Sequence, residues 1–116
     1  MTAQEVINRA RDLTNDTDTA NPRINNTSML YWINDGMRLI WDIRSDSRLA
    51  ANGTRITFAE ATDVTDTLCL LDRFRGALSD YVCYRAFTME SGSTENIQRA
   101  TFHMQSFTTH LMPEKN

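Results

Sequence analysis

The stretch from Ser28 to Asp46, SMLYWINDGMRLIWDIRSD, decides the fold of this chain. On a helical wheel of about 100° per residue its apolar side chains cover roughly 200°, whereas the stripe of an ordinary surface helix covers about 100°. Asn34 falls on the remaining, polar face. Either this helix is the central one of a bundle, or one flank of it meets a second chain. The flank in question carries Trp32, Leu39 and Ile43.

Three further helices are predicted from periodicity and from capping residues. The four predicted helices cover about residues 3–14, 28–44, 72–90 and 94–112. Their predicted N-terminal caps are Thr2, Thr27 or Ser28, Asp72 and Ser93. The last helix has a narrow apolar stripe of Ile97, Ala100, Met104, Phe107 and Leu111. The segment from Asn15 to Asn26 is rich in Asn, Asp and Thr, which is typical of a loop.

The segment between the second and third helices has a different pattern. Residues 54–58 alternate and are β-branched, so that Ile56 and Phe58 share one face of a predicted strand, and residues 67–70 are its candidate partner. The predicted fold class is therefore mainly α, a four-helix bundle-like domain with a small β element between helices 2 and 3. At 116 residues, the chain is predicted to be one domain, residues 1–116, with one modest core.

Composition excludes several classes of function. The chain has no run of about 18 apolar residues, so no membrane span is expected, and its first residues do not resemble a signal peptide. Two cysteines are too few for a disulfide framework. A net charge of -3 argues against nonspecific nucleic-acid binding as the main activity.

The candidate chemical groups do not form a recognisable site in the sequence. His103 and His110 are seven positions apart on one helix, about 10 Å along its axis, and are interpreted as surface or rim residues rather than zinc ligands. Residues 15–18 begin like a calcium loop, but the later ligand positions do not match. Cys83 is a possible reactive thiol without a histidine near it in sequence. The chain is therefore predicted to be no enzyme and to bind no metal or cofactor.

Three side chains do not fit the helical stripes. Phe87 and Phe102 lie roughly opposite the stripes of the third and fourth helices, which suggests that at least one of them meets another subunit. Arg85 lies inside the apolar arc of the third helix, where a guanidinium needs a carboxylate or backbone carbonyl groups, or must reach the edge of the core.

Residues 31–38, YWINDGMR, resemble the W-x-N-D-A-x-R stretch of the small head–tail connector, or adaptor, proteins of tailed bacteriophages. Residues 73–87 are similar to the third helix of that family, and Glu95, Arg99, Ala100 and Phe107 to its last helix. The resemblance covers most of the chain, in order, from about Glu5 to Leu111.

This resemblance implies a structural virion protein at the head–tail interface, assembled in the host cytoplasm. Such proteins form a homo-oligomeric ring, typically of twelve copies, between the portal protein and a tail or nozzle protein. The ring extends the channel, through which genomic DNA passes without specific binding. Neighbouring subunits would then use the surplus apolar surface. The predicted interface residues are Trp32, Leu39, Ile43, Phe87, Phe102, Ile56 and Phe58.

Contacts with the portal and the tail are expected from irregular segments, since the helices are needed for the bundle. The candidates are the loop Asn15 to Asn26, the β element Gly53 to Leu71 and the tail from Met112. The β element is the first choice for a neighbour or tail contact. The predicted portal contact consists of Pro113, Glu114, Lys115 and Asn116.

A small helical regulatory protein is the alternative from another functional class. Such a protein would bind a protein or DNA partner as a dimer. A helix-turn-helix is disfavoured, because the link between the first two helices is about a dozen residues long rather than three or four. Particle mass separates the two functions, because a ring and a dimer differ several-fold.

Overall fold

The architecture is mainly helical, as predicted. The structure is a computed structural model that describes residues 1–18, 20–90 and 92–112. Its α-helices are α1 (Ala3–Leu13), α2 (Asn26–Ile43), α3 (Arg75–Met89) and α4 (Thr94–Leu111). Short 3₁₀ turns cover Ser45–Arg48 and Asp72–Phe74. Within these described ranges, every helix is too short or too polar to cross a membrane.

Side-chain caps fix where three of these helices begin. Thr2 accepts a hydrogen bond from the backbone N–H of Glu5 at 3.2 Å, and Ser93 accepts one from Asn96 at 3.2 Å; both caps are as predicted. The cap of α2 is Asn25, which accepts from Ser28 at 2.8 Å. The predicted cap of α2, Thr27 or Ser28, is therefore wrong by two or three residues, because Asn is as good a cap as the Ser or Thr that follows it.

The centre of the bundle is α3, which packs against α1, α2 and α4. Its buried residues lie on most sides of the helix: Ala77, Leu78, Ser79, Tyr81, Val82, Cys83, Ala86 and Phe87. A helix with buried residues on so many sides needs several neighbours to cover it. One of the two alternatives from the sequence was that α2 is the central helix, but α2 packs against α1 and α3.

Cys83 and Phe87 of α3 are buried against different neighbours. The Sγ of Cys83 lies 4.0 Å from the carbonyl oxygen of Ala10 in α1. The ring of Phe87, which lies opposite the stripe on the wheel, stacks on His103 of α4, with centroids 5.7 Å apart. A wheel with one stripe misassigns Phe87, because α1 and α4 cover separate sides of α3.

Gly36 marks the closest approach of α2 to α3. A Cβ atom at this position would lie 2.9 Å from Cδ1 of Tyr81 and 3.2 Å from Cδ2 of Leu78. The Tyr81 ring cannot move freely, because it packs on Phe107 of α4 with centroids 5.1 Å apart. The absent side chain of Gly36 therefore sets the spacing of three helices.

The predicted small β element does not form. Residues 49–71, all of them described, make only two isolated bridges, Leu49 with Arg55 and Thr2 with Thr67. The two candidate strands pair with other segments rather than with each other. The N–H of Ile56 donates to the carbonyl of Arg48 at 2.7 Å, whereas that of Leu68 donates to Met1 at 2.9 Å.

Asn34 attaches this irregular segment to α2. Its Nδ2 donates to the carbonyl of Ala61 at 2.9 Å, and its Oδ1 accepts from the N–H of Ala61 at 2.8 Å. Nearby, Phe58 packs edge-on against Trp41 at 5.2 Å and lies 4.0 Å beneath the guanidinium of Arg38. Asn34 is buried, so the polar face of α2 on which the wheel places it is covered at this point by the irregular segment.

Substituting Gly36 tests the spacing of α2 and α3. Gly36→Ala and Gly76→Ala both replace a helical glycine, and a Cβ at Gly76 meets nothing within 4 Å. Both variants gain helix propensity, but only Gly36→Ala crowds Tyr81. We expect Gly36→Ala to have a free energy of unfolding about 1–3 kcal/mol below that of Gly76→Ala in urea denaturation. Equal values would disprove the close approach.

Substituting Asn34 tests the attachment of the irregular segment. Asn34→Asp keeps the size of the side chain but removes the donor to Ala61, so the buried carbonyl loses its partner. The free energy of unfolding should fall by about 1–3 kcal/mol. The matched control is Asn52→Asp, because the Asn52 oxygen only accepts, from Thr54 at 3.0 Å. A similar loss in both variants would contradict the proposed role of Asn34.

Candidate interaction surfaces

The predicted interface residues occupy three different environments. Trp32 and Phe87 are buried inside the chain itself, and Ile56 and Phe58 are half-buried. Leu39, Ile43 and Phe102 are exposed, with Ile43 at 56% and Phe102 at 64% of their full accessibility. Leu39, Ile43 and Phe102 therefore provide most of the exposed apolar surface among the predicted interface residues.

The ion pair between Arg85 and Asp35 lies near Trp32, at the N-terminal end of the α2 flank. The guanidinium of Arg85 lies 5.8 Å from the centre of the Trp32 ring and donates to Asp35 at 3.0 Å and to the hydroxyl of Tyr81 at 2.8 Å. Of the alternatives that the sequence left open for Arg85, the structure shows a carboxylate partner, Asp35. Towards the end of α2, Leu39 and Ile43 lie one turn apart and remain exposed.

A shallow apolar groove of about 330 Å³ lies between α3 and α4. Its lining includes Tyr84 and Thr88 of α3 and Ile97, Ala100, Thr101 and Met104 of α4. The sequence placed Ile97 in the core stripe of α4, but Ile97 is 52% exposed. The core covers the stripe near Phe107 and Leu111 and leaves Ile97 at the open groove.

Asp80 of α3 gathers three polar side chains of α4. The Nδ1 atom of His103 lies 2.9 Å from Asp80 Oδ1, the hydroxyl of Ser106 donates to Oδ2 at 2.6 Å, and Nδ1 of His110 lies 3.7 Å from Oδ2. His110 is exposed at the rim, as predicted, whereas His103 is buried. The sequence missed this cluster because Asp80 lies on another helix.

The geometry of the Asp80 cluster links two helices. The hydroxyl of Ser106 donates a hydrogen bond to the Asp80 carboxylate and not to an imidazole. This group therefore lacks the hydrogen bond between a serine nucleophile and a histidine base. Burial raises the pKa of Asp80, but hydrogen bonds from His103 and Ser106 and the nearby imidazoles outweigh it, and the pKa lies below its ordinary value. The described residues contain no group of three or more His, Cys, Asp or Glu suited to a metal ion.

Cys83 is an unreactive thiol. Burial, and secondarily the charge of Asp80, raises the pKa of Cys83 to about 12. The thiolate is the nucleophilic form of cysteine, so this side chain stays protonated at neutral pH and acts as a small core residue. The signal that sequence reasoning lacked was α1, which covers this side of α3.

The loop ahead of α2 is organised by one buried carboxylate. Asp16 accepts from Nη1 of Arg11 at 2.7 Å and from the backbone N–H groups of Arg23 at 2.9 Å and Ile24 at 3.3 Å. These hydrogen bonds join the beginning of this candidate contact loop to residues 23 and 24 near its end. The predicted portal contact, Pro113 to Asn116, lies outside the described residues.

No family model, curated protein or solved structure matches this chain. The described residues offer several surfaces to a partner: the exposed end of the α2 flank, the groove between α3 and α4, the projecting Phe102 and the irregular segment around Phe58.

Asp80→Asn tests the link between α3 and α4. Asn cannot accept at both positions, so the free energy of unfolding at pH 7 should fall by about 1–3 kcal/mol. Because the pKa of Asp80 is lowered in the folded state, its contribution is present above about pH 4 and is lost as the pH falls further.

The difference between wild type and Asp80→Asn should therefore shrink as denaturation curves are recorded from pH 7 down to pH 3. Asp42→Asn, at an exposed site on α2, should change stability by less than about 0.5 kcal/mol at either pH. A difference for Asp80→Asn that stays constant with pH would rule out the charged role of this carboxylate.

Proposed function

We propose that this chain is a subunit of a head–tail connector ring in a tailed bacteriophage. In this role copies of the chain, typically twelve, assemble between the portal and the tail or nozzle protein and extend the DNA channel. The observation that carries the proposal is the uncovered apolar surface on two helices. Leu39 and Ile43 are exposed on α2, and Ile97 and Phe102 are exposed on α4.

The residues of the resembling motif have defined contacts, which supports the proposal. Asp35 and Gly36 belong to the stretch 31–38, and they meet Arg85 and Tyr81 of the stretch 73–87. The two stretches that carry the resemblance to connector proteins thus pack against each other. Asn34, from the same motif, attaches the irregular segment to α2.

A ring also requires two different surfaces on every copy. Single exposed apolar residues are normal on any protein, but Leu39 and Ile43 form a pair, and Ile97 borders a groove. Copies related by a closed rotation, other than a twofold pair, meet through two unlike patches. The α2 flank and the two faces of α4 are the candidates for these patches.

The charge distribution fits a channel that does not hold DNA. Several arginines face carboxylates from other segments: Arg23 with Glu90, Arg38 with Glu60, Arg75 with Glu5 and Arg85 with Asp35. Arginines engaged in this way are less available to phosphate, and a wall that bound phosphate tightly would slow the passage of DNA.

The irregular segment between α2 and α3 remains our candidate for a neighbour or tail contact. Residues 57–60 belong to no helix or strand and make no backbone hydrogen bond within the described part of the chain. Phe58 and the Asn34–Ala61 hydrogen bonds hold the segment in place on α2. Unpaired backbone groups on such a segment are available to a strand from a second protein.

Particle mass tests the proposed function. The chain has a mass of 13.3 kDa, so a ring of about twelve copies would be several-fold heavier than a dimer. Analytical ultracentrifugation of the chain alone and together with the portal protein should give a ring-sized species in at least one condition. A dimer in both conditions would favour the small regulatory protein instead.

Deleting residues 113–116 tests the portal contact. Because α4 ends at Leu111, the chain 1–112 should retain its helical circular dichroism. We expect its co-sedimentation with the portal protein to be weakened while its self-assembly is preserved. Undiminished co-sedimentation would exclude the tail as the portal contact and leave the loop of residues 15–26 as the next candidate.

A further inference from the structure

We propose that Phe102 of one copy inserts into the groove between α3 and α4 of the next copy. This inference rests on the proposed ring and assigns one of its subunit contacts. The occupant of the groove is thus a second copy of this chain, bound head to tail. Three features of α4 carry the inference: a projecting aromatic ring, an uncharged groove and the angle between them.

The Phe102 ring is supported on one side by a buried neighbour. It is 64% exposed, and it packs edge-to-face with the ring of His103, with centroids 5.2 Å apart and planes at 78°. His103 is buried, stacked on Phe87 at 5.7 Å and linked to Asp80 at 2.9 Å. A supported aromatic side chain loses little conformational freedom when it binds, which favours its use as an anchor.

The groove suits an aromatic side chain. Its wall includes Tyr84, Ile97, Ala100 and Met104, with Thr88 and Thr101 at the edges, and none of these six side chains is charged. An entering ring would therefore displace water from apolar side chains without stripping water from an ion. Its volume of about 330 Å³ lies in the range of cavities that hold small organic groups.

The Phe102 ring lies on a different side of α4 from most of the groove. At about 100° per residue, Phe102 is roughly 140–160° around α4 from Ile97, Ala100 and Met104, and roughly 60–100° from Thr101 and Gln105, which also line the groove. The Phe102 side chain of a copy thus points away from that copy's own groove. A projection on one face and a matching groove on another make a heterologous contact, which repeats from copy to copy and closes into a ring where the rotation permits.

The charged residues beside Phe102 are suited to the polar rim of an interface. Glu95 and Arg99 are exposed on the same helix, and a typical interface surrounds its apolar centre with polar and charged groups. A stable contact buries about 800 Å² on each partner, more than one phenylalanine provides. Phe102 is therefore the anchor of a wider contact along α4 rather than the whole of it.

Two complementary variants test the contact. Phe102→Asp removes the projecting phenyl group and keeps the groove, whereas Ile97→Asp keeps the phenyl group and places a charge in the groove. Both positions are exposed, so both variants should retain the circular dichroism of the wild type. Each variant alone should fail to form rings in analytical ultracentrifugation, with and without the portal protein.

The mixture of the two variants distinguishes this contact from other ways of assembling. The Ile97→Asp chain still has the Phe102 side chain, and the Phe102→Asp chain still has an intact groove. An equimolar mixture should therefore give a one-to-one dimer that cannot grow. Tyr31→Asp is the matched control, because Tyr31 is an equally exposed aromatic, at 66%, on α2. This control should assemble like the wild type.

The possible failures separate the two proposals. If the wild type forms rings and either variant does so equally well, or if the mixture stays monomeric, the Phe102 contact is wrong while the connector function stands. A wild type that forms no ring, even with the portal protein, overturns both. Rings of normal size that lose only tail binding with Phe102→Asp would assign Phe102 to the tail protein instead.

Discussion

The constraint on which this structure depends is that α3 has buried side chains on most of its circumference. Such a helix is stable in water only when several neighbours cover it. Helices α1, α2 and α4 do so, leaving Tyr84 and Thr88 at the open groove, and the details of their packing follow from it. Gly36 has no side chain because α2 must come close to Tyr81, and Asp80 finds its partners on α4 because α4 lies directly against α3. The exposed surfaces of the molecule are what remains after α3 has been covered.

The helices were predictable because they are encoded locally. The spacing of Thr2 and Glu5, and the serine ahead of α4, fixed two helix starts to the residue. The β element was not predictable in the same way. Residues 54–58 have the composition of a strand, but a strand needs a partner, and the residues expected to pair with them bond to the chain near Met1. Secondary structure that depends on distant contacts cannot be read from one segment.

The candidate surfaces were predictable only in part. On their wheels Phe87 and Phe102 look alike, since each lies opposite a stripe. Phe87 is buried because His103 stacks on it, while no helix among the described residues covers Phe102 in this way. Ile97 shows the reverse case, because it belongs to a regular stripe and still borders open space. Position on a helix indicates which faces are apolar, and only the placement of neighbouring helices decides which of these faces stay free.

The attachment of the irregular segment by Asn34 has a consequence for how this chain can vary. The connection from α2 to α3 is long, and the hydrogen bonds of Ala61 with Asn34, of Ile56 with Arg48 and of Leu68 with Met1 divide it into short spans. The entropy of closing a loop rises only with the logarithm of its length, so the exposed residues 51–54 can gain or lose a residue at little cost while these attachments hold. The outer edge of the segment can thus change its shape without disturbing the bundle beneath it. That part of the surface can adapt to a new partner more readily than the helices can.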